Sequence, residues 1–293
     1  MYLTDYVHTF GRASSEHYGQ RVHKLALNAA FTCPNRDGSK GRGGCTFCNN
    51  SSFSPNARQP LPIAAQIEAG PGALLNHPAQ LRQLYDSALA EADVIGLSVG
   101  TRPDCVPGAV LDLLADYQAR GFEVWLELGL QSSFDKTLQA VNRGHGYAEY
   151  RHAVKAARAR GLRVCTHLIV GLPGETARHS QVSLERVLTE GVDGLKLHPL
   201  HVVKGTQLAN TWRRGDYQPL TLDDYIHTVA DMVELTPPEI IYHRLTGTAS
   251  ASILLAPGWC SQKWGVLNGI AQELQHRGTK QGRAREEKQV WNQ

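Results

Sequence analysis

At 293 residues the chain is long enough for one large core or two modest domains. Its 42 % apolar and 19 % charged residues are those of an ordinary soluble globular chain, and 28 Gly and 14 Pro spread along it exclude collagen-like and low-complexity classes. No apolar run approaches the roughly 20 residues a membrane-spanning helix needs, and Met1–Phe10 carries no secretory pattern. The expected location is therefore the cytoplasm, with no membrane partner. A net charge of +3 is too small a bias to announce a nucleic-acid binder.

In chain order, a strand is expected over Val22–Ala29, followed by a loop with Cys33, Cys45 and Cys48. From Pro60 to Ala92 two helical patterns are joined by Gly70, Pro71, Gly72 and Pro78 with no β-branched run between them, so a strand is missing where alternation predicts one. Leu81, Leu84, Tyr85, Ala88 and Leu89 mark the second of these helices. Strands then follow at Val94–Val99, Phe122–Leu128, Leu162–Val170, Gly194–Leu197 and Glu239–Leu245. Among the intervening helices, one carries Val110, Leu113, Leu114 and Tyr117 after Pro107, and another opens at Thr221 and buries Tyr225, Val229 and Met232.

This order predicts an α/β fold, a partial TIM-like (β/α) barrel lacking one early core strand, whose site lies at the C-terminal ends of its strands. One domain is expected over residues 1–275, with the cysteine loop at 31–50, and a basic flexible tail over 276–293.

Six cysteines without an export signal read as metal or redox thiols. Three thiolates on a glycine-rich loop can ligate three irons of a [4Fe-4S] cube and leave the fourth iron open. Zinc would want a fourth ligand, for which His23 and Asp37 are candidates without the usual spacing. Cys105, Cys165 and Cys260 read as small buried residues. His167, alternating with Cys165 and Ile169, is either a satisfied core histidine or a substrate-facing one. His198 and His201 at a strand end form an HxxH without a third metal ligand, which favours polar contacts to a cofactor or an anionic substrate. Arg143, Gly144 and His145 read equally as a helix C-cap or as functional residues.

The stretch Leu25–Cys48, LALNAAFTCPNRDGSKGRGGCTFC, resembles the cluster loop of radical S-adenosylmethionine (radical SAM) enzymes. The YhcC/YtqA-like branch, related to the catalytic subunit of Elongator, is the nearest resemblance. The likeness runs on through Val94–Pro107, EVWLELGLQS, NRGH, THLIVGLPGE, GLKLHPLHVVKGT and Pro237–Arg244, most of the chain. It implies a [4Fe-4S] cluster on Cys33, Cys45 and Cys48, with SAM on the open iron. One electron, from a donor such as a flavodoxin or ferredoxin, would then cleave SAM to a 5′-deoxyadenosyl radical that abstracts a substrate hydrogen.

The resemblance also implies that Phe47 packs near cluster and adenine, and that Ile169 and Gly171 lie beside the adenine. Glu127 and Gln131 are placed to contact the ribose or amino-acid part of SAM, Arg102 to pair with its carboxylate, and His167 and His198 to line the same cofactor space. The alternative for Arg102 is a local pair with Asp104. The kinship with Elongator suggests a tRNA wobble uridine as substrate, with Arg277, Lys280, Arg283, Arg285 and Lys288 available to phosphates, although Glu286 and Glu287 dilute that tail. The branch carries a strand where Ala69–Pro78 reads AGPGALLNHP, which predicts cluster binding surviving better than turnover. The alternatives are a non-catalytic iron-sulfur or zinc protein, or a deletion variant with impaired SAM binding.

Overall fold

Alternation of short strands with amphipathic helices produces a parallel sheet. The computed structural model describes residues 2–24, 33–49, 78–91 and 93–284. Its main sheet runs β1 (Gly96–Thr101), β2 (Glu123–Gln131), β3 (Arg163–Val170), β4 (Gly194–Pro199) and β6 (Ile241–Arg244), each parallel to the next. The barrel is not closed among the described residues, so the partial barrel expected from the sequence is the architecture observed.

The helices follow from their apolar spacing. They are α1 (Phe10–Tyr18), α2 (Pro78–Leu89), α3 (Gly108–Ala119), α4 (Asp135–Ala140), α5 (Tyr147–Arg158), α6 (Ala177–Thr189), α7 (Gln207–Arg213), α8 (Leu222–Leu235) and α9 (Lys263–His276). On α3, Val110, Leu111, Leu113, Leu114 and Tyr117 are all buried. Helix α8 starts where the Thr221 side chain accepts a hydrogen bond from the Asp224 amide, and it buries seven residues including Tyr225 and Met232. The outer faces of the strands meet this layer through Leu126, Leu128, Val164, Leu168, Leu195 and Leu197, each at most 2 % exposed.

The opposite faces are polar. Successive strand residues point to opposite sides, so Ser98, Glu127, His167, Lys196 and His243 share the concave face. A parallel sheet covered on both sides is usually apolar on both; polar residues in its concavity mark a lumen that holds ligands.

A small antiparallel pair, β5 (Val202–Val203) with β7 (Leu254–Ala256), lies beyond the C-terminal end of β4. Together with α7 it builds a second apolar cluster of Leu172, Leu200, Val202, Leu208 and Tyr217, onto which Phe47 and Ile169 pack. The Leu208 amide also bonds the Thr46 carbonyl at 2.9 Å, tying this cluster to the cysteine loop.

Of the early strand expected over Val22–Ala29, residues 22–24 are not in a strand and the remainder lies outside the described residues. The gap at Ala69–Pro78 also falls outside them, except for Pro78, the first residue of α2. Part of the segment expected as a flexible tail from residue 276 is packed against the fold. Gln281 is 5 % exposed; its amide group donates to the carbonyls of Pro237 and Ile240 and accepts from the His8 amide. Arg277 is held by Asp231, Glu234 and Glu273 at 2.7–3.0 Å, so it is not a phosphate contact.

Candidate active site: a thiol loop at the mouth of a polar lumen

The cysteine loop is fastened to the segment that follows α4. The Thr46 amide bonds the Val141 carbonyl at 3.0 Å. Asn142, in the left-handed region at φ +51°, donates its side-chain amide to the carbonyls of Arg42 and Gly44. Asn35, 1 % exposed, donates to the Asn142 carbonyl at 2.6 Å and toward Cys45 Sγ at 3.7 Å. Arg143 Nη1 reaches the same sulfur at 3.6 Å while Nη2 bonds the Gly129 carbonyl in β2.

Glycine is required where this packing is tightest. A Cβ on Gly41 or on Gly144 would lie 2.5 Å from Asn35 Oδ1, so the Asn35 side chain fits between them only because both lack one.

Cys33 and Cys48 are half-buried, Cys45 is buried, and none is in a disulfide. Burial pushes the Cys48 thiol up, and the neighbouring Cys45 and Cys33 add to the shift. Neither proposed fourth zinc ligand joins them: His23 is exposed, and Asp37 Oδ1 accepts from the amide and hydroxyl of Ser39. Among the described residues no three His, Cys, Asp or Glu side chains converge as a single ion requires. Three thiols with N–H donors aimed at one sulfur instead suit an iron-sulfur cube, whose potential is tuned by such bonds.

Below the loop, Glu127 is 5 % exposed in its side chain, and both of its oxygens are taken. Oε1 accepts from Lys24 at 2.9 Å and from Ser98, and Oε2 accepts from Lys196 and faces His167 Nε2 at 3.0 Å. Lys24 Nζ also donates to Ser98 Oγ and meets His243 Nδ1 at 2.8 Å. Burial alone would raise the Glu127 pKa. The hydrogen bond from His167, the nearby His243 and the charge of Lys24 outweigh it, holding the carboxyl far below its ordinary range. Burial pushes His243 down to about 4 and lowers His167, so both rings are neutral at pH 7.

This geometry revises two expectations. Glu127 binds four partners within the chain instead of presenting a free oxygen to SAM, because strand alternation aims it into the lumen with basic residues on both sides. Arg102 is held bidentately by Asp104, at 2.8 and 2.7 Å, and donates to the Gly144 carbonyl. The turn at Pro103 brings Asp104 under the guanidinium, the local pair that was the alternative reading. Only Arg102 Nη1, buried, lacks a partner among the described residues.

Gln131 ends β2 at φ +79°, strained for a side chain other than glycine, beside a register shift. The Ser132 hydroxyl bonds the Glu175 carboxylate, so the QSS and GLPGE segments meet at this edge. Gly171 turns out of β3 at φ +92°, its carbonyl accepting from the Tyr217 hydroxyl at 2.8 Å. His198 Nε2 faces Arg244 Nη1 at 3.4 Å, and its ring lies 5.9 Å from that of His167. Cys105, Cys165 and Cys260 are buried as expected. Sequence reading missed Asn35 and Lys24. It also left Arg143 as an equal choice between cap and function, although the NRGH motif that carries it was visible.

Comparison with known proteins gives the family. The profile of the Radical SAM superfamily matches residues 69–187, and that of the Radical_SAM C-terminal domain matches residues 192–276. Protein YhcC of Escherichia coli K12 is 48 % identical over 295 residues, covering 95 % of each chain. The chain belongs to the radical SAM superfamily. Protein YtqA of Bacillus subtilis is 37 % identical, over 94 % of this chain and 92 % of its own. A more distant relative is the tRNA uridine(34) acetyltransferase of Dehalococcoides mccartyi, 31 % identical over 65 % of this chain and 40 % of its own. The solved methylornithine synthase (PylB) has the same fold, with TM-score 0.53 and 14 % identity over 95 % of this chain and 89 % of that one. The protein is thus an enzyme of the radical SAM class, whose members bind a [4Fe-4S] cluster and SAM and take an electron from a reductant. No described helix is long and apolar enough to cross a membrane.

Proposed function

We propose that this radical SAM enzyme modifies a uridine carried by tRNA, with Cys33, Cys45 and Cys48 holding the cluster at the mouth of the polar lumen. The observation that carries the site is the fastening of the cysteine loop, through Asn35 and Arg143 at the Cys45 sulfur and Asn142 at the loop backbone, to the C-terminal edge of β2. Bound there, cluster and SAM supply reductive cleavage of a sulfonium and, from it, hydrogen abstraction.

The chain's own residues position and enclose. Phe47 and Ile169 offer an apolar edge for the adenine, and Gly171 brings bare backbone beside it. Gln131, strained at its strand end, presents an amide to the ribose or amino-acid part of SAM. His167, with Glu127 and Lys196 behind it, forms the polar floor on which the substrate sits. The tRNA reading is supported by the similarity to the uridine(34) acetyltransferase, and a flavodoxin or ferredoxin fits as electron donor.

The test is anaerobic reconstitution. Iron and sulfide near four each per chain, and a change in the reduced cluster's electron paramagnetic resonance on adding SAM, are expected; Cys45→Ala should lose both. Bulk tRNA should bind in a salt-sensitive manner and stimulate 5′-deoxyadenosine formation. A cluster that responds to SAM but is indifferent to tRNA would refute the substrate.

A further inference from the structure

At the mouth of the lumen stands a cation with no carboxylate partner among the described residues. Arg244 ends β6 in register with Lys196 of β4, on the edge where the site opens. Its guanidinium forms no ion pair among the described residues. Its hydrogen bond is from Nη1 to His198 Nε2, at 3.4 Å.

The groups facing it do not neutralise it. Burial, with the charge of Arg244 itself, pushes His198 and His201 below the ordinary imidazole range, and burial lowers His167, so all three rings are uncharged at pH 7. On the same concave face, two ammonium groups, Lys24 and Lys196, already face the carboxylate of Glu127. Among the described residues, Lys24, Lys196 and Glu127 together leave one positive charge before Arg244 is counted and two after it. Uncompensated charge of one sign in a walled cleft concentrates ligands of the other sign.

The surroundings aim the guanidinium. His198 accepts from Nη1 and so carries its own proton on Nδ1, the nitrogen against which the chain turns at Gly247. A Cβ on Gly247 would lie 2.5 Å from His198 Nδ1, and the Gly247 carbonyl faces His201 Nε2 at 3.2 Å. The ring is thus held from behind, and the remaining N–H groups of Arg244 have no hydrogen-bond partner among the described residues. A fork of N–H donors suits the paired oxygens of a phosphate or carboxylate.

We propose that Arg244, oriented by His198, is the anchor for an oxyanion on the substrate, a phosphate or a carboxylate. Arg244 is the binding residue and His198 a positioning residue that acts through it. The inference rests on the radical SAM reading of this lumen and not on tRNA as the source of the anion.

Reconstituted holoenzyme would be probed by anaerobic equilibrium dialysis with uridine 5′-monophosphate and, separately, with succinate, while the SAM-induced change in the resonance spectrum is followed in the same samples. Arg244→Gln should weaken the bound probe about tenfold or more, with Arg244→Lys intermediate, because a point charge without the fork keeps part of the attraction. His198→Leu should weaken it by a smaller factor, and His198→Gln, which keeps an acceptor, should restore it. Binding of the nucleotide identifies a phosphate as the source; binding of succinate alone identifies a carboxylate. Two results would overturn the proposal: neither probe's affinity responding to Arg244, or Arg244→Gln and Arg244→Lys both losing the SAM response, which would assign the guanidinium to the cofactor. Absence of any SAM response in the unaltered protein would instead sink the radical SAM reading of the lumen beneath it.

Discussion

Replacing Glu127 by Leu removes the carboxylate to which Lys24 and Lys196 are both bound, and leaves two ammonium groups facing each other in the lumen. Lys196 keeps 11 % of its side-chain surface and Lys24 29 %, so Lys24 can turn partly toward water while Lys196 cannot. Breaking a buried pair by deleting one partner costs about 3–5 kcal/mol, and the escape open to Lys24 argues for the lower end. At roughly 2–4 °C per kcal/mol for a chain of this size, the Leu variant should melt about 6–12 °C below the parent. Glu127→Gln keeps the shape and one acceptor oxygen, and should lose about half as much. The assay is thermal unfolding by circular dichroism at pH 7, on reduced protein freed of iron, so that cofactor binding does not contribute. A Leu variant melting within about 2 °C of the parent would refute the role given to this cluster.

Gly41→Ala should drive a Cβ into Asn35 Oδ1, breaking the Asn35 bonds to Cys45 and Asn142; iron recovered per chain after reconstitution should fall by more than half, and unchanged loading would count against the wedge. Asp104→Asn leaves the Arg102 guanidinium buried and uncompensated, and should lower the urea midpoint by an amount equivalent to about 3 kcal/mol, most of it recovered when both residues become Leu. Burial, aided by Arg143, pushes His145 down to about 4. Between that value and the ordinary imidazole value near 6.5, the unfolded chain binds a proton that the folded chain refuses, so stability falls as pH drops through this window, by up to about 1.4 kcal/mol per pH unit. His145→Gln should flatten that limb of a urea-midpoint series taken between pH 4.5 and 7.

The strands were legible because apolar runs bounded by turn residues stand out: all five expected from residue 94 onward form, with ends displaced by only a few residues. The polar face of the lumen was legible in part, since His167 alternates with Cys165 and Ile169 on one strand. What could not be read is who meets whom across the sheet. Glu127 lies 103 residues from Lys24 and 69 from Lys196, and no local pattern in LELGLQS announces that its acid is already taken. Arg277 looked like a solvated tail cation because the carboxylates that hold it are supplied partly by another helix. Asn35 escaped notice because its importance comes from two glycines, one of them distant in sequence, that make room for it.

The contacts that shape the thiol loop come from amides, a guanidinium and backbone carbonyls, and none of them needs a metal ion to form. The cage is therefore assembled by folding itself, and an arriving cluster meets a loop whose freedom has already been surrendered to residues 141–143. Loading should then be less unfavourable in entropy than for a floppy loop, and the protein should stay folded when its iron is stripped away, in contrast to small zinc modules that unravel without their metal.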